Sequence, residues 1–226
     1  MPTTMRFALL VFAAIAAAAM PGVSSADTGK DKAMLITAIA DRDVPGVHEL
    51  IEAGADLEAR DSQGRTGLLL ATRDNEVEIA KALIAAGADV NAKDEIHDTP
   101  FLYAGAEGRT EILKAILATG RADLKDTNRY GGTALIPAAH HGHPDAVRVL
   151  LETGIDIDHV NNLGWTALIE AVILGDGGPV YQEIVGLLVD AGASNIPDRE
   201  GALPLDHARR NGFSEIASRV ESGPRP

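Results

Sequence analysis

An all-α solenoid of about six helix-turn-helix units, joined by β-hairpin-like fingers, is the fold class that this 226-residue sequence predicts. Three observations carry the prediction. An apolar hexad led by threonine recurs: Thr66-Gly67-Leu68-Leu69-Leu70-Ala71, then the segments from Thr99, Thr133 and Thr166, whose closing residues Ala71, Ala104, Ala138 and Ala171 step by 33, 34 and 33 residues. A glycine keeps that step from Gly54 through Gly87 and Gly120 to Gly154, and recurs at Gly192 after the longer fifth unit. A short polar residue opens each unit, at Asp61, Asp94, Asn128, Asn161 and Asp198. Markers that stay in phase over so many periods are the signature of stacked repeats, each too small to bury its own apolar face.

The chain opens on a segment unlike the rest. Arg6 and the amino terminus are followed by the apolar run Phe7 to Met20, and Ser24-Ser25-Ala26 offers small residues before Asp27. This reads as a secretory signal over 1–26, too short for a comfortable membrane span. A linker over 27–30 leads to repeats over 31–220, with units at about 31–60, 61–93, 94–127, 128–160, 161–197 and 198–220, and a disordered tail over 221–226.

Within each unit the residue types dictate the helices. The threonine caps the first helix through its hydroxyl, and Pro100 fits the first helical position because that N–H needs no partner. The alanine four or five residues on lets two helices approach closely. Gly108, Gly142 and Gly212 supply a left-handed residue at the end of the first helix. Glu78, Glu111, Asp145 and Glu215 fall in the first turn of the second helix, where negative charge favours the helix dipole. Leu83 with Ile84, Ile116 with Leu117, Leu150 with Leu151, and Leu187 with Leu188 form the stripe to be buried. A glycine then ends the second helix, and Asp-rich turns such as Gly87-Ala88-Asp89-Val90-Asn91 lead to the next unit.

Taken together, these units resemble ankyrin repeats, whose pattern is a turn followed by T-P-L-H-x-A and two antiparallel helices. The resemblance covers about Asp31 to Val220. The histidine slot is filled instead by Leu69, Leu102, Ile136 and Ile169, and the end units carry Ala33 and Leu203 in place of threonine, as capping units should when one face meets water. Unit three has an additional residue near Arg121. The extended unit five also resembles extended units of exported bacterial ankyrin-repeat proteins, a resemblance that brings no reaction with it.

Composition narrows the partners. There are 20 Lys and Arg against 33 Asp and Glu, a formal charge of −13, and no cysteine. Loss of Arg6 with the leader leaves −14, which disfavours nucleic acid and anionic membrane surfaces. A cysteine-free chain has no disulfides and no thiol chemistry, which points to a bacterial periplasm rather than to a small disulfide-stapled secreted domain.

Catalytic and metal motifs are incomplete. His48-Glu49-Leu50-Ile51-Glu52 has glutamate where a zinc-protease helix needs its second histidine. Asp156-Ile157-Asp158 does not continue as a calcium loop, because Val160 stands at an oxygen-ligand position. Asp56, Asp89, Asp123 and Asp156 share one slot per unit and read as turn residues. His140, His141 and His143 cluster at the end of one helix, but neighbouring helical residues point about 100° apart and do not converge on one ion. The expectation is therefore no enzyme, no cofactor and no metal; a metal-dependent enzyme is the least favoured alternative.

Side chains that break the repeat mark a partner surface. Ile96, Tyr130 and Leu163 occupy the same finger position in three successive units, and Trp165 sits beside them. Ile173 and Leu174 extend the apolar character into the groove, with Arg129, His140 and His141 as a polar rim. Such a patch either binds a partner or closes the fingers onto one another. In unit five, the stretch from Ile173 to Glu183 is longer than its counterparts, and Gly175-Asp176-Gly177-Gly178-Pro179 is either a tolerated loop or part of a binding face. The resemblance implies a monomeric scaffold that holds an unidentified protein partner in its groove, without membrane insertion once the leader is removed. The setting is a periplasm or, alternatively, the outside of the cell, where the chain would be an effector engaging a host protein.

Overall fold

The structure, a computed structural model, describes residues 34–223. The expected leader 1–26, the linker 27–30, residues 31–33 with the Ala33 capping slot, and the end of the tail at 224–226 lie outside the described residues.

Helix pairs follow one another throughout. Helix α1 (34–40) precedes α2 (Val44–Glu52). The pairs α3 (Gly67–Arg73) with α4 (Val77–Ala85), α5 (Pro100–Ala106) with α6 (Thr110–Ala118), and α7 (Leu135–His140) with α8 (Pro144–Leu151) come next. They are followed by α9 (Ala167–Ile173) with α10 (Pro179–Asp190), and α11 (Pro204–Arg210) with α12 (Ser214–Glu221). Helix α12 thus enters the stretch expected as tail. Helices α3, α5, α7, α9 and α11 pack in sequence as one layer, and α2, α4, α6, α8, α10 and α12 as a second. This is the predicted ankyrin-like solenoid.

The core lies between the layers. Ala71, Ala104, Ala138 and Ala171 are fully buried, as the close helix approach requires. Leu83, Ile116, Leu150 and Leu188 are buried from the second helices, while their neighbours Leu117, Leu151 and Leu187 pack against that core from its edge.

The fingers owe their shape to the opening polar residues. Asp61, Asp94, Asn128, Asn161 and Asp198 each accept hydrogen bonds from the N–H groups two and four residues ahead, at 2.8–3.1 Å. Each also donates its own N–H to the carbonyl four residues on. The turn so closed needs a left-handed third residue, supplied by Gly64, Gly131, Gly164 and Gly201 and, in unit three, by His97 at φ 68. Among the described residues the fingers contain one β-bridge, Arg60 with Thr66, so they are turns held by side chains rather than strand ladders. Asp56, Asp89, Asp123 and Asp156 each accept the N–H two residues ahead. They are turn residues.

Unit four departs from the expected pattern twice. Thr66, Thr99 and Thr166 cap their helices by accepting the N–H three residues on. Thr133 does not: its hydroxyl is buried without a partner among the described residues, and α7 starts two residues later. The cause is Pro137. It has no N–H for the Thr133 carbonyl, so the bond made by Leu70, Tyr103 and Glu170 in the other units is lost, and the N–H of Ile136 takes that carbonyl in a tighter turn at 3.2 Å. Gly154 also differs from Gly54, Gly87, Gly120 and Gly192, because its φ is not left-handed. There the Thr153 hydroxyl donates to the Leu150 carbonyl and accepts from the N–H of Ile155, but Thr119 makes the same two bonds beside the left-handed Gly120, so the hydroxyl does not account for the difference. In unit six the missing threonine is replaced by Asp206, whose carboxylate accepts the Leu203 N–H at 3.0 Å.

The insertion of unit five is a brace between neighbours. Tyr181 donates its hydroxyl to the His140 carbonyl of unit four at 2.8 Å, Gly177 lies against the Phe213 ring of unit six, and Asp176 caps the turn through the Gly178 N–H. A methyl group at Gly175 would strike the Ala171 carbonyl and the Tyr181 ring. Gly175→Ala is expected to cost roughly 1–3 kcal/mol in chemical denaturation. A variant as stable as the parent would show that the loop is free to move away.

Candidate partner-binding groove

The inner helices and the fingers enclose a pocket of about 440 Å³ spanning units three to five. Its hollow comes from one slot of the repeat, filled along the chain by Leu70, Tyr103, Pro137, Glu170 and His207. Pro137 is short, and the space above it is walled by Tyr103 on one side and Glu170 on the other. Leu102, Ile136, Leu163 and Leu174 supply apolar surface, and Asp98, Glu107, Arg129, His140 and His141 supply polar surface.

Six of the nine residues singled out from the sequence border this pocket: Arg129, Tyr130, His140, His141, Leu163 and Leu174. Ile96, Trp165 and Ile173 do not. Ile96, Tyr130 and Leu163 are 47%, 56% and 50% exposed, whereas Trp165 and Ile173 are half-buried. Arg129 stacks on the Tyr130 ring at 4.8 Å, so its charge lies along the finger. Across the pocket Arg73 stacks on Tyr103 at 4.6 Å and stands 3.8 Å from Asp98. Burial, and then the nearby Asp94 charge, push the Asp98 carboxyl above its usual range, against the pull of Arg129 and Arg73.

The histidines do different work. His141 donates its Nδ1–H to the Ala106 carbonyl at 2.7 Å and so ties unit four to unit three. His143 packs under Gly108, and burial followed by the His141 charge lowers its pKa. His140 faces the groove, and its pKa is lowered first by burial and then by the His141 charge. The His140 and His141 rings are 4.8 Å apart at their centroids with planes 53° apart. Among the described residues no group of three or more His, Cys, Asp or Glu is placed to hold a metal ion. Nor, among them, is any helix long and apolar enough to cross a membrane.

Glu170 is the residue that sequence reasoning passed over. It sits on α9 at the pocket floor with 5% of its surface exposed. Its carboxylate accepts a hydrogen bond from Asn161 Nδ2 at 2.7 Å, and His140 Nδ1 stands 3.5 Å away. Burial raises its pKa to about 7, only partly offset by the Asn161 bond. Burial thus shifts Glu170 and His140 toward their neutral forms, and neither holds the other as an ion. The next unit repeats the spacing with a better match: His207 Nε2 lies 2.7 Å from Asp198 Oδ2. That bond, ahead of the backbone donors, holds the Asp198 carboxyl below its usual range. The signal available in the sequence was a charged residue inside the apolar run Ala167–Ile173, nine residues after an opening Asn.

The family described as ankyrin repeats (3 copies) matches residues 12–94 and 101–199. The chain therefore belongs to the ankyrin-repeat family, whose members are generally non-enzymatic modules of protein–protein interaction. It is similar to an ankyrin repeat domain from Acinetobacter baumannii AYE, at 52% identity and a TM-score of 0.80, over 83% of this chain and 95% of that one. It is also similar to EF0377, an ankyrin repeat protein of Enterococcus, at 46% identity and a TM-score of 0.82, over 84% and 98% of the two chains. Among curated proteins, the putative ankyrin repeat protein YahD of Escherichia coli K12 is 46% identical over 99 residues, 43% of this chain and 49% of that protein. The chain thus spans about half the length of that curated relative.

Proposed function

We propose that the chain is a non-enzymatic scaffold, exported from a bacterial cytoplasm to the periplasm, that holds a protein partner as a monomer in its groove and against its finger tips. The observation that carries this reading is the exposure of Tyr130 and Leu163 on successive fingers, directly over a pocket that three units build together. Large side chains exposed at the rim of a concave pocket are what a partner covers, and aromatic anchors commonly dominate such interfaces. The apolar leader ahead of Asp27 supports export, and the acidic surface supports a protein rather than a nucleic acid.

Two measurements test it. The chain recovered from a periplasmic fraction is expected to begin at Asp27; an intact amino terminus in the cytoplasm would remove export from the proposal. Tagged wild-type protein is expected to capture one protein from periplasmic extract, and Tyr130→Ala and Trp165→Ala, both melting normally, to weaken capture by more than ~1 kcal/mol. Loss with Tyr130→Ala alone would confine the site to the pocket. A fall in melting temperature with unchanged capture would make Trp165 a packing residue, and no specific capture by folded protein would overturn the proposal.

A further inference from the structure

The pocket floor narrows the kind of partner. We infer that the pocket above Pro137 receives a basic side chain, lysine or arginine, from a protein segment lying in the groove, with the Glu170 carboxylate as its counter-charge. The inference rests on the groove being the partner-binding face, and deepens that reading.

Four features on the molecule support it. The Glu170 carboxylate accepts one hydrogen bond among the described residues, from Asn161, although a carboxylate can accept several, and the small part of it left uncovered lines the pocket beside His140. A desolvated acceptor with unused lone pairs, at the bottom of a pocket, matches a charged donor better than an apolar or acidic group. Leu102, Ile136, Leu163 and Leu174 provide apolar walls suited to the methylene stem that such a donor carries. Of the other charges that border the pocket, two are acidic, Asp98 beside Arg73 and Glu107 beside His141, and one is basic, Arg129, which lies along the Tyr130 ring. The chain as a whole is strongly acidic, which draws basic segments toward it.

Ionisation follows from the same geometry. The titratable groups beside Glu170 are His140 on α7 and, in the following unit's slot, His207 on α11, which is held by Asp198. Helix α10 turns its apolar Ile184, Val185 and Leu188 into the core behind α9. A free carboxyl with a pKa of about 7 must shed its proton to meet a cation. Affinity for a basic side chain is therefore weakened below neutral pH and reaches its plateau above it.

The test uses blocked pentapeptides Gly-Ala-X-Ala-Gly with X as Arg, Lys, citrulline, norleucine, Phe or Glu. Binding is followed on the folded full chain through the methyl signals of Leu163 and Leu174 and the side-chain carboxyl signal of Glu170. The Arg and Lys peptides are expected to bind about tenfold more tightly than the citrulline and norleucine peptides at pH 8. They are also expected to lower the pKa read at Glu170 and to lose their advantage at pH 5.5 or in Glu170→Gln. Equal binding of the neutral peptides, preference for the Glu peptide, a basic preference that survives Glu170→Gln, or no binding by any peptide would each overturn the assignment. In any of those cases, protein capture that still depends on Tyr130 would leave the broader scaffold reading standing.

Discussion

Leu150→Ala is expected to lower unfolding stability by roughly 2–5 kcal/mol, with a melting temperature lower by roughly 5–15 °C. Leu150 is fully buried on α8, at the middle of the array, and its Cδ1 lies where a Cβ on Gly105 of α5 would come within 3.5 Å. Its side chain therefore fills space that two units share. Neither the unit's own helices nor the neighbouring pair can close over the loss, because the inner layer is already at close approach through Gly105, Ala134 and Ala138. In a solenoid the stability of each unit depends on its interfaces. The deficit is thus expected to appear across the whole urea transition. A loss below ~1 kcal/mol would mean that unit four relaxes around the cavity.

The fold was legible because every turn of it is written in local chemistry. A capping threonine, a small alanine and an Asp or Asn that closes a finger are each required by the backbone, so they recur at the period of the structure. The two departures in unit four were less visible, although Pro137 announces one of them: a proline four residues after Thr133 cannot give the N–H that the Thr133 carbonyl receives in the other units. The other, at Gly154, has no signal in the sequence, since Thr119 precedes the left-handed Gly120 as Thr153 precedes Gly154 and makes the same hydroxyl bonds.

The groove was legible only in part. Tyr130, Leu163, His140 and Leu174 stood out because they break the repeat at positions facing outward, and the structure gathers them around one pocket. Glu170 did not stand out, because it lies in a slot whose occupants vary, within a helix whose other residues are apolar. Its importance comes from a pair of neighbours set by stacking: Asn161 from its own finger and His140 from the preceding unit. The insertion was misleading for the same reason. Its glycines look like slack, yet Gly175 and Gly177 are where the Tyr181 and Phe213 rings pack against the backbone, bracing units four and six.

Glu170→Gln is expected to stabilise the folded chain at pH 8 by roughly 1–3 kcal/mol and to change it little at about pH 4. The sign follows from the carboxyl's pKa of about 7 in the folded chain against an ordinary value of 4.5. Below about pH 4.5 the group is protonated in both states and costs nothing. Between these values the unfolded chain ionises first, so stability drains away as pH rises, and above about pH 7 the full cost of a buried carboxylate is present. Glutamine keeps the acceptor for Asn161 and can donate toward His140, so the substitution removes the charge without opening a cavity. Asp98, which is shifted in the same direction, titrates in both proteins and cancels in the difference. Urea denaturation of the two proteins at several pH values reads that difference directly. A gap independent of pH, or a variant weaker than the parent at pH 8, would show that Glu170 is not held as a desolvated carboxyl. A gap that opens through neutral pH would show that the free chain bears a destabilising charge at its pocket floor, a cost that a cation arriving in the groove would offset.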